Sequence, residues 1–476
     1  MTRFIRLFVS TVMWLILLAS FACVGRSRPA LAAGNIYYVA TTGNDANPGT
    51  AALPWRTIQK AANTLVAGDT VYIRTGVFPE RVQPQNSGTA GAYITYAADV
   101  GAVVTIDGTG ISTPNGLDGL FGVSGKSYLK ISNLRITNSQ GAGIRVDGSN
   151  NIVVERNYTY NTVSSGIGVW NSSAITVDGN EIVLANNDGS QENLTIGVTN
   201  SFQVRNNSIH DGGPGTHGGE SLGIKDGSSN GLVYGNQVYH NTRRLGILVD
   251  AWDKHEYNIQ IFQNRVHDNT DYGISIGSEA GGLLENVQVY NNLIYANLGY
   301  GVTIRPDGIS TYHPVKDLYI INNVLYGNNG GGWGGGIYLI NPDVVDVILR
   351  NNIVSQNFSF QIVIGSNVPA GQVIIDHNLI DGYRGYANEV YGTSYVTGNP
   401  WFYYPVTADF HLQPGSPAID KGSAVGAPST DFDGIPRPQA GTSGGIALFD
   451  IGAYEFVPWV VKQRIYLPLI EKLTSH

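Results

Sequence analysis

Ile152-Val153-Val154-Glu155-Arg156-Asn157 is the stretch whose reading decides the fold. Apolar residues stand five and three positions before an Asn. The same spacing returns at Ile175, Val177 and Asn180; at Phe202, Val204 and Asn207; and at Ile259, Ile261 and Asn264. It continues through Val287, Val289 and Asn292; Leu318, Ile320 and Asn323; Val347, Leu349 and Asn352; and Val373, Ile375 and Asn378. Asn236 keeps Val233 but has Gly231 at the earlier place. Alternation over a few residues means a strand with one buried face. Its recurrence every two to three dozen residues means one coil of a β-solenoid per repeat, with the variable length placed in the turns. Asn suits a sharp turn there: it tolerates a left-handed backbone, and its amide can bond to the coils above and below. The Asn ladder is therefore read as structural.

Each coil carries a second strand. Gly143-Ile144-Arg145-Val146, Gly166-Ile167-Gly168-Val169, Gly246-Ile247-Leu248-Val249, Gly273-Ile274-Ser275-Ile276, Gly301-Val302-Thr303-Ile304 and Gly336-Ile337-Tyr338-Leu339 share one form. The expected fold is all-β, a single-stranded right-handed parallel β-helix of roughly ten coils. Exposed ends of a solenoid invite aggregation. Trp55 to Ala62 has helical spacing before the strand Thr70-Val71-Tyr72-Ile73, so a short helix is expected to cap the N-terminal end.

Composition agrees. Only 13% of the 476 residues are charged, 61 are Gly, and 42% are hydrophobic. That apolar share argues against disorder. Arg3 and Arg6, the apolar run Leu7 to Ala22 and the small-x-small Ala30-Leu31-Ala32 read as a signal peptide over 1–32. Secretion or a cell-surface location follows. The one cysteine, Cys23, falls in that segment, so the remainder holds no disulfide. What remains has 24 basic against 36 acidic side chains, a net charge of −12. That balance disfavours nucleic acid as a partner. The β-helix is placed at 33–395, a C-terminal segment at 396–456 and a tail at 457–476. The expected state is a monomer.

Tyr37-Tyr38-Val39-Ala40, Gly43-Asn44-Asp45, Asn47-Pro48-Gly49-Thr50 and Trp55-Arg56-Thr57-Ile58-Gln59 resemble the start of many secreted bacterial β-helix proteins, relatives of polysaccharide lyase family nine among them. Leu412-Gln413-Pro414-Gly415-Ser416-Pro417-Ala418-Ile419-Asp420 and Asp450-Ile451-Gly452-Ala453-Tyr454-Glu455 look like the choice-of-anchor Q module. The resemblance implies the pectin-lyase-like superfamily, and the module, with the tail Arg464 to Ile470, implies attachment to a cell surface. The fold hosts lyases, hydrolases, epimerases and binders without activity. The Asn-Thr-Asp, Asp-Asp, Gly-His-Gly and Arg-Ile-Lys set of polygalacturonases, the Asp-Pro-His-Asp of alginate epimerases and the calcium-binding Asp-Asp cluster of family nine lyases are not matched.

Charged residues gather between Asp211 and Asp307. Aligning the second strands puts Lys225, Asp250, Gly277 and Arg305 in one column. Lys225 and Asp250 are then one coil apart, about 5 Å between backbones. Glu220, Arg243, Arg244, Asp271 and Tyr272 flank one side. Asp226, Trp252, Asp253, Glu279 and Asp307 flank the other. Two chemistries fit a polysaccharide on this flank. In β-elimination from a uronate polymer, Lys225 would be the base and Arg305 or Arg244 the carboxylate clamp. Asp226, Asp250, Asp253 and Glu279 would supply the hard oxygen ligands calcium prefers. In glycoside hydrolysis, Asp250 with Glu279 or Glu220 would be the carboxylate pair. Trp252 or Tyr272 could stack on a sugar, with Arg243 beside them. Lyase is placed ahead of hydrolase. A surface protein that only binds glycans or acts as a spacer is the reading from a different class. The bland reading makes Lys225 and Asp250 a surface ion pair, Asp226-Gly227 and Asp307-Gly308 turns, and His210, His240 and His267 a structural ladder. His217 and His255 lack metal-ligand spacing.

Overall fold

The computed structural model describes residues 34–115, 118–213, 219–242, 244–328, 333–442 and 444–458. The 1–32 segment, His217, Arg243 and most of the tail lie outside them. The chain winds as a right-handed β-solenoid of three long parallel sheets. The first has thirteen strands, from Ile36–Val39 to Val373–Asp376. The second has thirteen, from Gly76–Phe78 to Val396–Thr397, and the third ten, from Gly119–Ser124 to Ile362–Ile364. One coil runs from Ile167–Trp170 in the third sheet to Ser173–Asp178 in the first and Glu181–Val183 in the second. It then returns to the third at Leu194–Gly197. The alternating apolar residues point inward on all three sheets and form one continuous core. A single α-helix is described, Ile58–Thr64, N-capped by Thr57, with Ile58, Ala61 and Ala62 buried in that core.

The Asn column stacks without a break. From Asn157 to Asn352, each side-chain amide donates to the carboxamide oxygen of the next, ending on Asn378, at 2.9 to 3.1 Å. All nine are buried. The left-handed backbone expected at these Asn belongs instead to the residue before each. Arg156, Asn206, Gln263 and Asn291 have φ of 52°, 55°, 54° and 51°, and Gly179 and Gly235 take the same place in other coils. The preceding residue turns the corner, which frees the Asn side chain to point inward and close the hydrogen bonds. A second ladder, not foreseen, links Asn269, Asn297, Asn328 and Asn357 and ends on Gln361.

After the last strand of the second sheet, the chain forms an antiparallel pair, Phe402–Tyr404 with Asp409–Leu412. Phe402, Phe410, Leu412, Phe432, Ile451 and Tyr454 then pack with Leu293, Val324, Ile353 and Leu379 of the solenoid as a second core.

Candidate active site

The third sheet presents alternate residues outward. Lys225 pairs in register with Asp250, and Asp250 with Gly277; Arg305 follows Ile304, the partner of Ile276. The column read from sequence is therefore the outward C-terminal column of this sheet. A Cβ at Gly277 would meet nothing within 4 Å, so the surface opens between Asp250 and Arg305. The N-terminal edge carries another column. Leu194, Leu222, Ile247 and Ile274 pair in register. Two residues earlier, this places Glu192, Glu220, Leu245 and Tyr272 on successive rungs. The Asn193 amide donates to the Glu220 carbonyl at 2.9 Å, which fixes Glu192 and Glu220 as neighbours.

Glu192 and Glu220 have different surroundings. The Glu192 side chain lies across Gly223, where a Cβ would come within 2.6 Å of its Cγ. One of its oxygens accepts from Lys225 Nζ at 2.9 Å, the other from the Thr195 hydroxyl at 2.7 Å. Thr195 Oγ1 is 2.8 Å from Ser165 Oγ. Trp170 lies across Gly197 and brings its ring centroid 5.3 Å from Lys225 Nζ. Glu220 is 6% exposed and meets Arg244 Nη1 at 3.3 Å. Burial, then the negative charge of Glu192, pushes the Glu220 pKa up to about 7.

On the next rungs, Asp250 Oδ1 accepts from the backbone amides of Trp252 at 3.0 Å and Glu279 at 2.9 Å. Burial still raises its pKa, and burial raises that of Asp271 to about 6. Arg305 bonds to the Tyr272 hydroxyl and pairs with Asp307 at 3.1 Å. Tyr272 stacks on Tyr300 at 5.2 Å, Tyr300 on Tyr338 at 4.5 Å, and Trp333 sets its edge against the first two. Thr303 Oγ1 and Arg305 Nε are buried beside this shelf without a partner among the described residues.

The structure corrects several expectations. Lys225 does not pair with Asp250; its ammonium is held by Glu192. Burial lowers its pKa, but the Glu192 charge and hydrogen bond outweigh this and the net shift is upward. A lysine kept protonated is no base. Asp226, Asp250, Asp253 and Glu279 do not form a calcium shell. Among the described residues, no three His, Cys, Asp or Glu side chains gather closely enough to hold a metal ion. Asp226 sits in a turn at φ 59°, Asp253 is exposed, and Asp250 is committed to backbone amides. Glu279 faces Asp250 through its own amide rather than across a gap. Trp252 is a left-handed turn residue, 36% exposed. His210 and His267 do join a ladder, stacking with Tyr239 and Tyr295, whereas His240 lies outside the stack. His255 pairs with Glu285 at 3.0 Å.

Glu192 was missed. Its signal was the same alignment that produced the Lys225 column, read two residues before the strand instead of at its C-terminal end.

Comparison with known proteins bears on the whole solenoid. The family described as Pel9A-like, right handed beta helix region, matches residues 37–192, and the right handed beta helix region family matches 183–313. The uncharacterized protein YwoF of Bacillus subtilis strain 168 is 26% identical over 437 residues, 81% of this chain and 92% of its own length. Pectate lyase PEL9 of Emericella nidulans is 32% identical over 160 residues, 31% of this chain and 38% of the lyase. Among solved structures, XylC in complex with xylose aligns with a TM-score of 0.53 at 13% identity, covering 89% of this chain and 98% of that one. Pectate lyase Pel9A aligns with a TM-score of 0.52 at 15% identity, covering 88% and 96%. At these identities the structural likeness is one of fold. Together the matches support the pectate-lyase-like right-handed β-helix superfamily.

Proposed function

We propose that this chain, with the fold of the pectate-lyase-like right-handed β-helices, is a secreted carbohydrate-active enzyme. It hydrolyses a glycosidic bond of an extracellular polysaccharide on the outer face of the third sheet. The observation that carries this reading is the Glu192–Glu220 pair: two carboxyl groups on adjacent rungs of one column, held by different partners. A carboxyl whose pKa burial raises towards neutrality is suited to give up a proton. Glu192, held by Lys225 and Thr195, is the nucleophile. Glu220 is the proton donor. Adjacent rungs lie about 4.8 Å apart between backbones, and the proposed chemistry is that of glycosidases that retain anomeric configuration, whose two carboxyl groups stand ~5–5.5 Å apart. In the first step Glu220 protonates the leaving oxygen while Glu192 attacks the anomeric carbon and forms a glycosyl ester. In the second, Glu220 takes a proton from water, and the hydroxide displaces Glu192. Arg244, the Tyr272 shelf and Trp170 would hold the sugars on either side. Export through residues 1–32 and attachment through the C-terminal tail belong to the same reading.

A second reading, β-elimination on the same flank, is favoured by the likeness of a 160-residue stretch to pectate lyase PEL9. It keeps Arg244 and Arg305 as clamps on a uronate carboxylate and needs a base other than Lys225.

The chain beginning at residue 33, incubated with polyuronates and neutral glycans, separates the readings. New reducing ends without ultraviolet absorbance mean hydrolysis. The absorbance of a conjugated double bond means elimination. Neither signal on any polymer leaves a glycan binder and ends both enzyme readings. Glu220→Gln and Glu192→Gln are each expected to lower kcat/KM by about 10²–10⁴. The alkaline limb of the parent's pH profile should lie near pH 7, where Glu220 loses its proton.

A further inference from the structure

The first sheet carries a second cleft of different chemistry. Phe262, Tyr290 and Ile321 occupy one outward column on successive rungs, with Gln288 and Tyr319 in the column beside them. The segment 426–430 crosses above and encloses about 270 Å³. The floor is regular: the Phe262 and Tyr290 rings stack at 4.9 Å and 2°. The roof is pinned. Asn291 Nδ2 donates to the Thr430 carbonyl at 2.7 Å, and Gln263 Nε2 to the Asp431 and Phe432 carbonyls, each at 3.0 Å. Asn291 in turn accepts from Arg437, whose buried guanidinium is paired with Glu455 at 2.6 Å. The cleft is therefore preformed by the seam between solenoid and C-terminal segment.

No residue lining it is charged. That neutrality is local, because a larger cavity on the same sheet, about 620 Å³, is lined by Asp99, Lys130, Glu155 and Arg156. Tyr319, Ser429 and Thr430 line the cleft beside its aromatic and aliphatic floor, and their hydroxyls bond to no other described residue.

We propose that this cleft binds a neutral saccharide, as a holding site separate from the third-sheet flank. Uncharged amides and hydroxyls match a ligand made of hydroxyl groups, while Tyr290, Phe262 and Ile321 take the C–H face of a sugar ring. A charged sugar would give up hydration with no opposite charge to receive it. The volume lies just below the range of ligand clefts, about 300–1,000 Å³, which fits the end of a chain rather than a long segment. Held there, a polymer would be presented to the same molecule at raised local concentration.

Calorimetry on the chain beginning at residue 33 tests this, with cellohexaose, xylohexaose and mannohexaose as neutral probes and trigalacturonate as the charged one. At least one neutral hexasaccharide is expected to bind. Tyr319→Ala and Gln288→Ala should raise its Kd by about tenfold or more, a difference of ~1.4 kcal/mol. Ser429→Trp, at an exposed position on the roof, should close the cleft and abolish binding while leaving thermal unfolding unchanged. Glu220→Gln should bind as the parent does, so the proposal stands or falls apart from the catalytic reading. It is overturned if no neutral probe binds, if Tyr319→Ala and Gln288→Ala leave Kd unchanged, or if Glu220→Gln abolishes the binding. Trigalacturonate binding that Ser429→Trp removes would overturn the neutral class.

Discussion

At the residue scale, the Asn column shows how much a buried amide can carry. Asn264 Oδ1 accepts from the backbone and side-chain nitrogens of Asn236 at 3.0 and 2.9 Å. Its Nδ2 donates to the Val233 carbonyl at 2.9 Å and to Asn292 at 3.0 Å. Asn264→Leu keeps the volume near constant but strands several buried groups, each costing about 1–3 kcal/mol when unpaired. A loss of roughly 3 kcal/mol or more is expected in urea melts. Asn258 is the control. It belongs to an exposed ladder with Asn230 and Asn286 and has φ 58°, so Asn258→Gly should change stability by less than about 0.5 kcal/mol. Equal losses at the two sites would refute burial as the cause. The sequence showed the ladder but put the left-handed residue one position too late. Alternation reports which side chains are buried. It does not report φ, and Arg156 and Gln263 fill that corner without a glycine to mark it.

At the scale of strands, the break at Gly231 has a cause that the repeat alone could not supply. Phe202 stands in register with Gly231 one rung away, and a Cβ on the glycine would lie 2.1 Å from the Phe202 ring. The ring fills the place of the missing side chain. Gly231→Ile alone should destabilise by overpacking, about 1–3 kcal/mol, and Phe202→Val alone by leaving a cavity of similar effect. Together they restore the regular Ile-Val pattern of the other coils and should recover most of the loss. Additive losses in a double-mutant cycle would reject the compensation. The same register made the Lys225 column legible, because strand pairing converts spacing in sequence into neighbourhood in space. It could not say that Lys225 reaches back across Gly223 to Glu192, since that depends on side-chain reach across two columns. Glu192 itself sat behind an insertion in the preceding turn. The second Asn ladder was readable: an Asn follows the first by five residues at 241, 269, 297, 328 and 357.

At the scale of the whole molecule, a chain poor in charge has placed many of its acids where ionisation is penalised. Burial is the largest cause in each case. It raises the pKa of Asp271 to about 6, Glu220 to about 7 and Asp450 to about 8. Glu256 is wholly buried near Asp250 and Asp226, and its carboxyl makes no well-formed hydrogen bond; its pKa stands well above the carboxylate range. An acid whose pKa is raised on folding binds more protons in the native state. Its contribution to stability is full below the unfolded pKa, about 4, and is lost as pH rises towards the folded value. Acids with lowered pKa, such as Glu155 and Asp376, lose their contribution only below about pH 4.5, outside this window. His267, lowered by burial, opposes the trend below about pH 6.5, but it is one group against several. The Tm is therefore expected to fall between pH 5 and about pH 8 in scanning calorimetry. Glu256→Gln tests the source, because an amide of the same shape has no proton to lose. The variant should show a shallower fall in Tm across that range. A slope equal to the parent's would remove Glu256 from the account and leave the fall to Glu220, Asp271 and the Asp450 cluster. The direction matters for function, since the proton that Glu220 donates is one of those that burial retains. Loss of stability and loss of the catalytic acid are thus expected on the same alkaline side.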